Sequence, residues 1–345
     1  MTSKGVVLVV GGAGGVGGEI ARQMRDAGWE VRAMKRGLAG DGGLRDGINW
    51  VGGDALNRED VRHAARGASV IVHAVNPPGY RNWAKLVLPM VDNTIAAARR
   101  VGATVVLPGT VYNYGPDAFP VLREDSPQHP LTRKGAIRVE LENRLQAYAS
   151  QGGRALVVRA GDFFGPTTRG NSWFSAGLVR PGRPVRTVYR PGAPGVGHEW
   201  CYLPDVARTV VELLEKGAAL KPFATFHMAG HWDSDGLQMT GAIQRVVAKR
   251  TGVEPRVVDF PWWLLTVGAP FNTTLREMKE MRYLWQKSLW MENEQLEAVL
   301  GREPHTPWDA AVEATLEGLG CIPSARAPSQ VSRSGSKSTV LREER

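Results

Sequence analysis

The stretch Val6-Val7-Leu8-Val9-Val10-Gly11-Gly12-Ala13-Gly14-Gly15-Val16-Gly17 decides how the rest of the chain is read. Five consecutive apolar, mostly β-branched residues predict a strand covered on both faces of a parallel sheet. A glycine-rich turn follows without a spacer. Glu19 to Ala27 then places Ile20, Met24 and Ala27 on one helical face, Gly28 ends the helix, and Glu30-Val31-Arg32-Ala33-Met34 resumes as a strand. In such a βαβ unit the glycines at 11, 14 and 17 have separate tasks. The first permits the tight turn, the second lets the backbone approach a pyrophosphate, and the third allows close packing of helix on strand. The helix N-terminus adds amide donors and a positive dipole. Gly11, Gly14, Gly15, Val16 and Gly17 are therefore expected to cradle the phosphates of a dinucleotide.

The form of that dinucleotide is read at the end of the second strand. An acid there would accept hydrogen bonds from the adenosine ribose hydroxyls of NAD. Lys35-Arg36 stand there instead, with no acid before Asp41. Two cations suit a 2′-phosphate, which Arg can hold through its planar fork. NADP(H) is thus the expected cofactor in preference to NAD(H).

Outward from this unit, strand and helix signals keep alternating. They predict a strand at 50–51, a helix over 57–65, a strand at 70–74, and a helix from Trp83 to Arg100. A strand at 105–107, a helix from Lys134 to Ser150 and a strand at 155–159 follow. The rhythm predicts an α/β fold, a Rossmann-type doubly wound parallel sheet with a smaller C-terminal substrate lobe. The expected division is a cofactor core over 1–160 and a lobe over 161–322 that returns elements to the core near 198–216. A basic tail over 323–345 completes it.

Several ordered segments carry a resemblance to a known family. Besides the glycine pattern, these are Asp54 in Gly53-Asp54-Ala55-Leu56, the strand end His73-Ala74-Val75, Arg159 to Pro166, and His198 to Ala207. Together they resemble the extended or atypical short-chain dehydrogenases/reductases, of the NAD-dependent epimerase/dehydratase branch. The resemblance implies that Asp54 contacts adenine and that Ala74 and Val75 lie along the cofactor. It also implies a catalytic Tyr and, four residues on, a Lys that share a helix face.

The catalytic pattern departs from that expectation. Alignment on Glu142 puts Lys134 where the Tyr belongs and Arg138 where the Lys belongs, so the chain is expected to lack the Tyr-x-x-x-Lys pair. Leu107 to Gly115 resembles the strand end that supplies an orienting hydroxyl, which places Thr110 there with Tyr112 and Tyr114 nearby. Three readings stay open. Lys134 is the proton donor, Arg138 grips the ribose and Thr110 orients a carbonyl; or Tyr112 or Tyr114 supplies the phenol; or the site is a non-catalytic NADP(H) sensor of the NmrA type. The leading expectation is an NADP(H)-dependent oxidoreductase that moves a hydride to or from a carbonyl or similar group. A sugar-nucleotide epimerase or dehydratase is the alternative enzyme.

The lobe is expected to hold the small-molecule substrate. Asp162, Asn171, Trp173 and His198 are candidate lining residues, Asp205 is expected to cap a helix over 206–216, and Phe260 to Leu265 forms an aromatic run. Further helices are expected over 275–285, 290–300 and 307–319. Composition bounds the remaining functions. With 43% hydrophobic and 22% charged residues the chain reads as a soluble globular protein. The net charge of +9 lies partly in the Ser-rich tail, read as disordered, and no basic helix with interleaved aromatics supports a nucleic-acid partner. Cys201 and Cys321 have no metal-like spacing, and no metal is expected. With no signal peptide and no membrane-length apolar run, a cytoplasmic protein is expected, and a homodimer is compatible with the aromatic run.

Overall fold

The computed structural model describes residues 4–38, 41–77, 82–168, 172–270 and 273–324. Asn171 and the tail from Ala325 onward lie outside them. The first strand, β1 (Val6–Val10), is followed by α1 (Gly15–Asp26), β2 (Glu30–Lys35), β3 (Asp41–Arg45) and β4 (Ile48–Gly52). Then come α2 (Arg58–Ala64), β5 (Ala68–His73), α3 (Trp83–Val101), β6 (Thr104–Gly109), β7 (Val121–Leu122), α4 (Arg133–Ser150) and β8 (Arg154–Arg159). The main sheet has the order β12-β8-β6-β5-β1-β2-β4-β3, where β12 is Phe223–His227. Every pairing in it is parallel except β3 on β4.

The uninterrupted apolar run of β1 is explained by layers on both faces. Val7 and Val9 pack in one cluster with Ile20 and Met24 of α1, while Leu8 and Val10 pack in another with Val87, Val91 and Leu141 of α3 and α4. All of β1 beyond Val6 is fully buried. Burying one such side chain contributes about 1.5–3 kcal/mol, so a polar substitution there would break the sheet at its centre.

After β8 the chain builds β9 (Asp162–Phe164), β10 (Thr187–Arg190), β11 (His198–Tyr202) and α5 (Leu203–Lys216) before β12. It continues with β13 (His231–Asp233), α6 (Gln238–Thr251), β14 (Arg256–Asp259), α7 (Trp262–Gly268) and α8 (Thr273–Glu280). β15 (Trp290–Met291), α9 (Glu294–Leu300) and α10 (Trp308–Gly318) end it. The lobe core joins Phe164, Phe174, Trp200, Ile243 and Leu316. Leu203, Val206 and Val210 of α5 share the cluster of α1.

Four local expectations change. The first helix begins at Gly15, not Glu19, because its first turn is the glycine loop itself. The expected 290–300 helix is β15 followed by α9, since Trp290 pairs with Val121 and draws the chain into a strand. The 275–285 helix gives way after Glu280 to a tighter 3-10 turn over Met281–Trp285. Asp205 is not a cap. The helix starts at Leu203, and the Asp205 carboxylate accepts from the Thr306 backbone N–H and hydroxyl, each at 2.7 Å.

Candidate functional site

Parallel register brings the cofactor candidates to one edge. Val10 pairs with both Met34 and His73, so the glycine loop, Lys35-Arg36 and Ala74-Val75 all leave the sheet side by side. Lys35 pairs with Gly52, which places Asp54 on the same rim, its carboxylate accepting from the Leu56 N–H at 3.0 Å. Lys35 and Arg36 are exposed there.

The glycine loop is tightly packed. Gly11 has φ +90°, and a Cβ on it would lie 2.7 Å from the Ala74 carbonyl oxygen. A Cβ on Gly17 would lie 2.4 Å from the Gly11 carbonyl oxygen. Gly14 stands at the N-cap of α1, with no side-chain cap and no acid in the first turn. That leaves an uncontested positive helix end for phosphate.

The second half of the site is α4. Lys134, Arg138 and Glu142 recur every four residues on one face, and each is 4–5% exposed. Glu142 is a structural anchor. Arg159 donates to its carboxylate at 3.0 and 2.7 Å, and Asn113 donates to it at 2.9 Å. The anchor fixes the role of Thr110. Because Asn113 turns its NH2 to Glu142, its Oδ1 faces Thr110, whose hydroxyl donates to it at 2.9 Å. Its proton is thereby committed, which leaves the Thr110 hydroxyl only its lone pairs as acceptors.

Arg138 meets no carboxylate among the described residues. Its guanidinium lies 5.3 Å from the Trp83 ring and donates to Asn76 Oδ1 at 3.2 Å, and its Nε is buried without a hydrogen-bond partner among the described residues. Beside it His73 is pushed down to about 3 by burial and then by Arg138, so it stays neutral. A desolvated guanidinium with a spare donor at the strand ends fits a ring of hydroxyl acceptors such as a ribose. Lys134 faces Glu280 of the lobe, Nζ to Oε2 3.8 Å.

The two tyrosines separate. Tyr114 is fully buried, its hydroxyl 3.1 Å from His227 Nε2 and its ring 5.1 Å from Arg159. It belongs to the anchor and not to an open site, which corrects its place among the phenol candidates. Tyr112 packs at the seam between the Rossmann core and the lobe cluster of Leu284, Leu289 and Met291. One Tyr-x-x-x-Lys spacing does occur in the chain, contrary to expectation, at Tyr283 and Lys287. It straddles the 3-10 turn, where positions four apart do not share a face, and Lys287 is exposed.

In the lobe, His198 Nε2 lies 2.8 Å from Asp162 Oδ2, and its ring stacks on Trp285 at 3.7 Å. Trp173 meets Trp285 at 5.2 Å and Trp262 at 5.6 Å. A small cleft lined by Arg190, His198, Trp200, Met239 and Trp285 opens beside them. The three described lining candidates thus converge. Asn76, Asn113, Glu280 and Tyr283 were not among the expected residues; only Asn76, directly after a strand end, carried a local signal. No group of three or more His, Cys, Asp or Glu residues that could hold a metal occurs among the described residues.

A phosphate-ready glycine loop and a cation-bearing helix at the carboxyl edge of a parallel sheet define a dinucleotide-binding protein of the short-chain dehydrogenase/reductase type. Residues 7–229 match the model of the NAD dependent epimerase/dehydratase family, and the chain belongs to that family. Solved structures agree in fold. MoeE5 in complex with UDP-glucuronic acid and NAD is 20% identical, with a TM-score of 0.68 over 91% of this chain and 98% of that one. The UDP-glucose 4-epimerase of Thermus thermophilus in complex with NAD is 20% identical, with a TM-score of 0.66 over 91% and 98%. Bifidobacterium longum UDP-glucose 4-epimerase in complex with NAD+ and UDP is 14% identical, with a TM-score of 0.68 over 92% and 97%. No curated protein matches the chain in sequence. No described helix is long and apolar enough to cross a membrane.

Proposed function

We propose that the chain is an NADP(H)-dependent oxidoreductase that interconverts a carbonyl and a hydroxyl on a small molecule. The observation that carries this is the buried pair Lys134 and Arg138, one turn apart on α4, with Arg138 reaching Asn76 beyond the end of β5. Bound at that loop, the dinucleotide supplies or accepts the hydride. Arg138, with its spare Nε, would hold the nicotinamide ribose. Thr110 would accept from the substrate hydroxyl. Lys134 would give the substrate oxygen its proton, a contribution of about a hundredfold or more to such a reaction. Lys35 and Arg36 support the 2′-phosphorylated cofactor. Asp162, Trp173 and His198 would line the substrate end.

The test begins with binding. NADPH is expected to bind at least about tenfold more tightly than NADH, by fluorescence titration, and Arg36→Ala is expected to remove most of that difference. In an assay of NADPH oxidation with a carbonyl panel, Lys134→Ala should lower kcat by about a hundredfold. Wild-type turnover in Lys134→Ala would remove Lys134 from the chemistry, and binding without any turnover would favour a sensor.

A second reading has its own support. The structural relatives include NAD-bound UDP-sugar epimerases. An epimerase would purify with dinucleotide bound and interconvert UDP-glucose and UDP-galactose without net NADPH consumption. NADH binding equal to NADPH would favour it.

A further inference from the structure

Lys134 and Arg138 do not complete the site, because the lobe reaches back onto α4. Glu280, the last residue of α8, places Oε2 3.8 Å from Lys134 Nζ, while its Oε1 accepts the Arg133 backbone N–H at 3.2 Å. The ends of this pair differ in their access to water: the Lys134 side chain is 5% exposed and that of Glu280 32%. The carboxylate is therefore the wet end of a dry ammonium. The 3-10 turn that follows faces both halves of the site. Tyr283 stacks on Phe119 at 6.3 Å, and its hydroxyl is buried with no hydrogen-bond partner among the described residues. Burial, then Tyr112 and Glu280, push that phenol up, so it stays protonated as an unused donor. Two residues later Trp285 stacks on His198.

We propose that Glu280 is a lobe-borne positioning residue of the active site: it holds the Lys134 ammonium in place and carries its proton to and from solvent. The proposal rests on the reading of Lys134 as the proton group. In the reducing direction the Lys134 N–H bond breaks as the substrate O–H bond forms, the hydride having come from the dinucleotide. The amine then regains a proton from water across the Glu280 carboxylate, and hydroxide leaves to bulk. Oxidation runs the same path in reverse. A contact that only fastened the lobe would be served equally well by an amide, because glutamine keeps the size of Glu280 and an oxygen for the Arg133 N–H.

That difference gives the test. The full chain, saturated with NADPH, is treated with acetic anhydride over a range of pH, and acetylation of Lys134 is followed by peptide mass spectrometry with the other lysines as internal standards. Glu280→Gln is expected to acetylate Lys134 severalfold, up to about tenfold, faster at mildly alkaline pH, since an amide no longer holds the ammonium in place by charge. Glu280→Asp should restore the wild-type rate. The NADPH affinity of Glu280→Gln should match wild type, and any loss in its unfolding midpoint should be recovered in Glu280→Asp together with the acetylation rate. Unchanged Lys134 acetylation in Glu280→Gln overturns the proposal. So does a faster rate that comes with a fallen unfolding midpoint and persists in Glu280→Asp. Loss of the underlying reading shows elsewhere, as wild-type turnover in Lys134→Ala, so the two failures are distinguishable.

Discussion

At the scale of single residues, Gly17 and Gly14 look alike in sequence and differ in what surrounds them. A methyl on Gly17 would meet the Gly11 carbonyl oxygen at 2.4 Å, backbone against backbone with nothing flexible to yield. On Gly14 the same atom is met at 3.3 Å. Gly17→Ala is therefore expected to push α1 off β1 and cost about 1–3 kcal/mol, as overpacking does. Gly14→Ala, a change at an N-cap, should cost under about 1 kcal/mol. Chemical denaturation of both variants checks the order, and equal losses would mean that the loop moves as a whole. These roles were legible because a glycine's reason lies within a few positions of it. The role of Thr110 was not. Its proton points where Asn113 sends it, and Asn113 is turned by Glu142, 29 positions further on. Glu280 was still less legible, since nothing local connects it to Lys134, 146 positions earlier; only the packed lobe brings them together.

At the scale of elements, α4 shows why periodicity alone undersells a functional helix. Its buried face alternates Ile137, Leu141 and Leu145 with Lys134, Arg138 and Glu142. The charged half of the face reads as surface in sequence, so its burial was legible only through the family resemblance. The pattern is stable because each charge has a compensating environment: Glu280 for Lys134, Asn76 and the Trp83 ring for Arg138, and Arg159 for Glu142. The last pair is the most demanding, with Arg159 fully buried. Breaking a buried pair by removing one charge costs about 3–5 kcal/mol. Glu142→Gln should therefore destabilise the chain by about that amount and release Asn113, so any residual activity should show a raised KM as Thr110 loses its orientation. Wild-type stability in that variant would mean that the Arg159 charge is satisfied by the Thr110 carbonyl and His227 alone. The strands β1, β5, β6 and β8 were legible as apolar runs. β15 was not, because two residues are too short to show a period, and Trp290 follows its partner Val121 rather than its neighbours.

At the scale of the whole molecule, a buried histidine of the lobe makes stability depend on pH. His231 in β13 is buried, and its Nε2 lies 2.7 Å from the Thr306 carbonyl, an acceptor that requires the proton on Nε2. Its Nδ1 is buried with no partner among the described residues, and the His305 ring stacks on the His231 ring at 4.3 Å. A second proton would sit on Nδ1 with nothing to receive it. Burial accordingly lowers this imidazole to about 4, from an ordinary value of 6.5. A depressed folded-state value means that the unfolded chain binds a proton first as acid is added. The contribution is complete above about pH 6.5 and is lost as pH falls toward 4, at up to about 1.4 kcal/mol per unit. Burial pushes the Glu199 and Glu303 carboxyls the other way, so they favour the folded state in acid and lose that contribution as pH rises. The net slope of the wild type therefore mixes opposing groups, and a variant must isolate one of them. His231→Gln keeps an N–H for the Thr306 carbonyl and removes only the titration. The stability advantage of wild type over His231→Gln should shrink by about 2–3 kcal/mol between pH 7.5 and 4.5, measured by denaturant unfolding at fixed ionic strength. A difference that stays flat over that range would mean that the lobe opens around His231 to admit the proton, and that its packing is looser than its buried contacts imply.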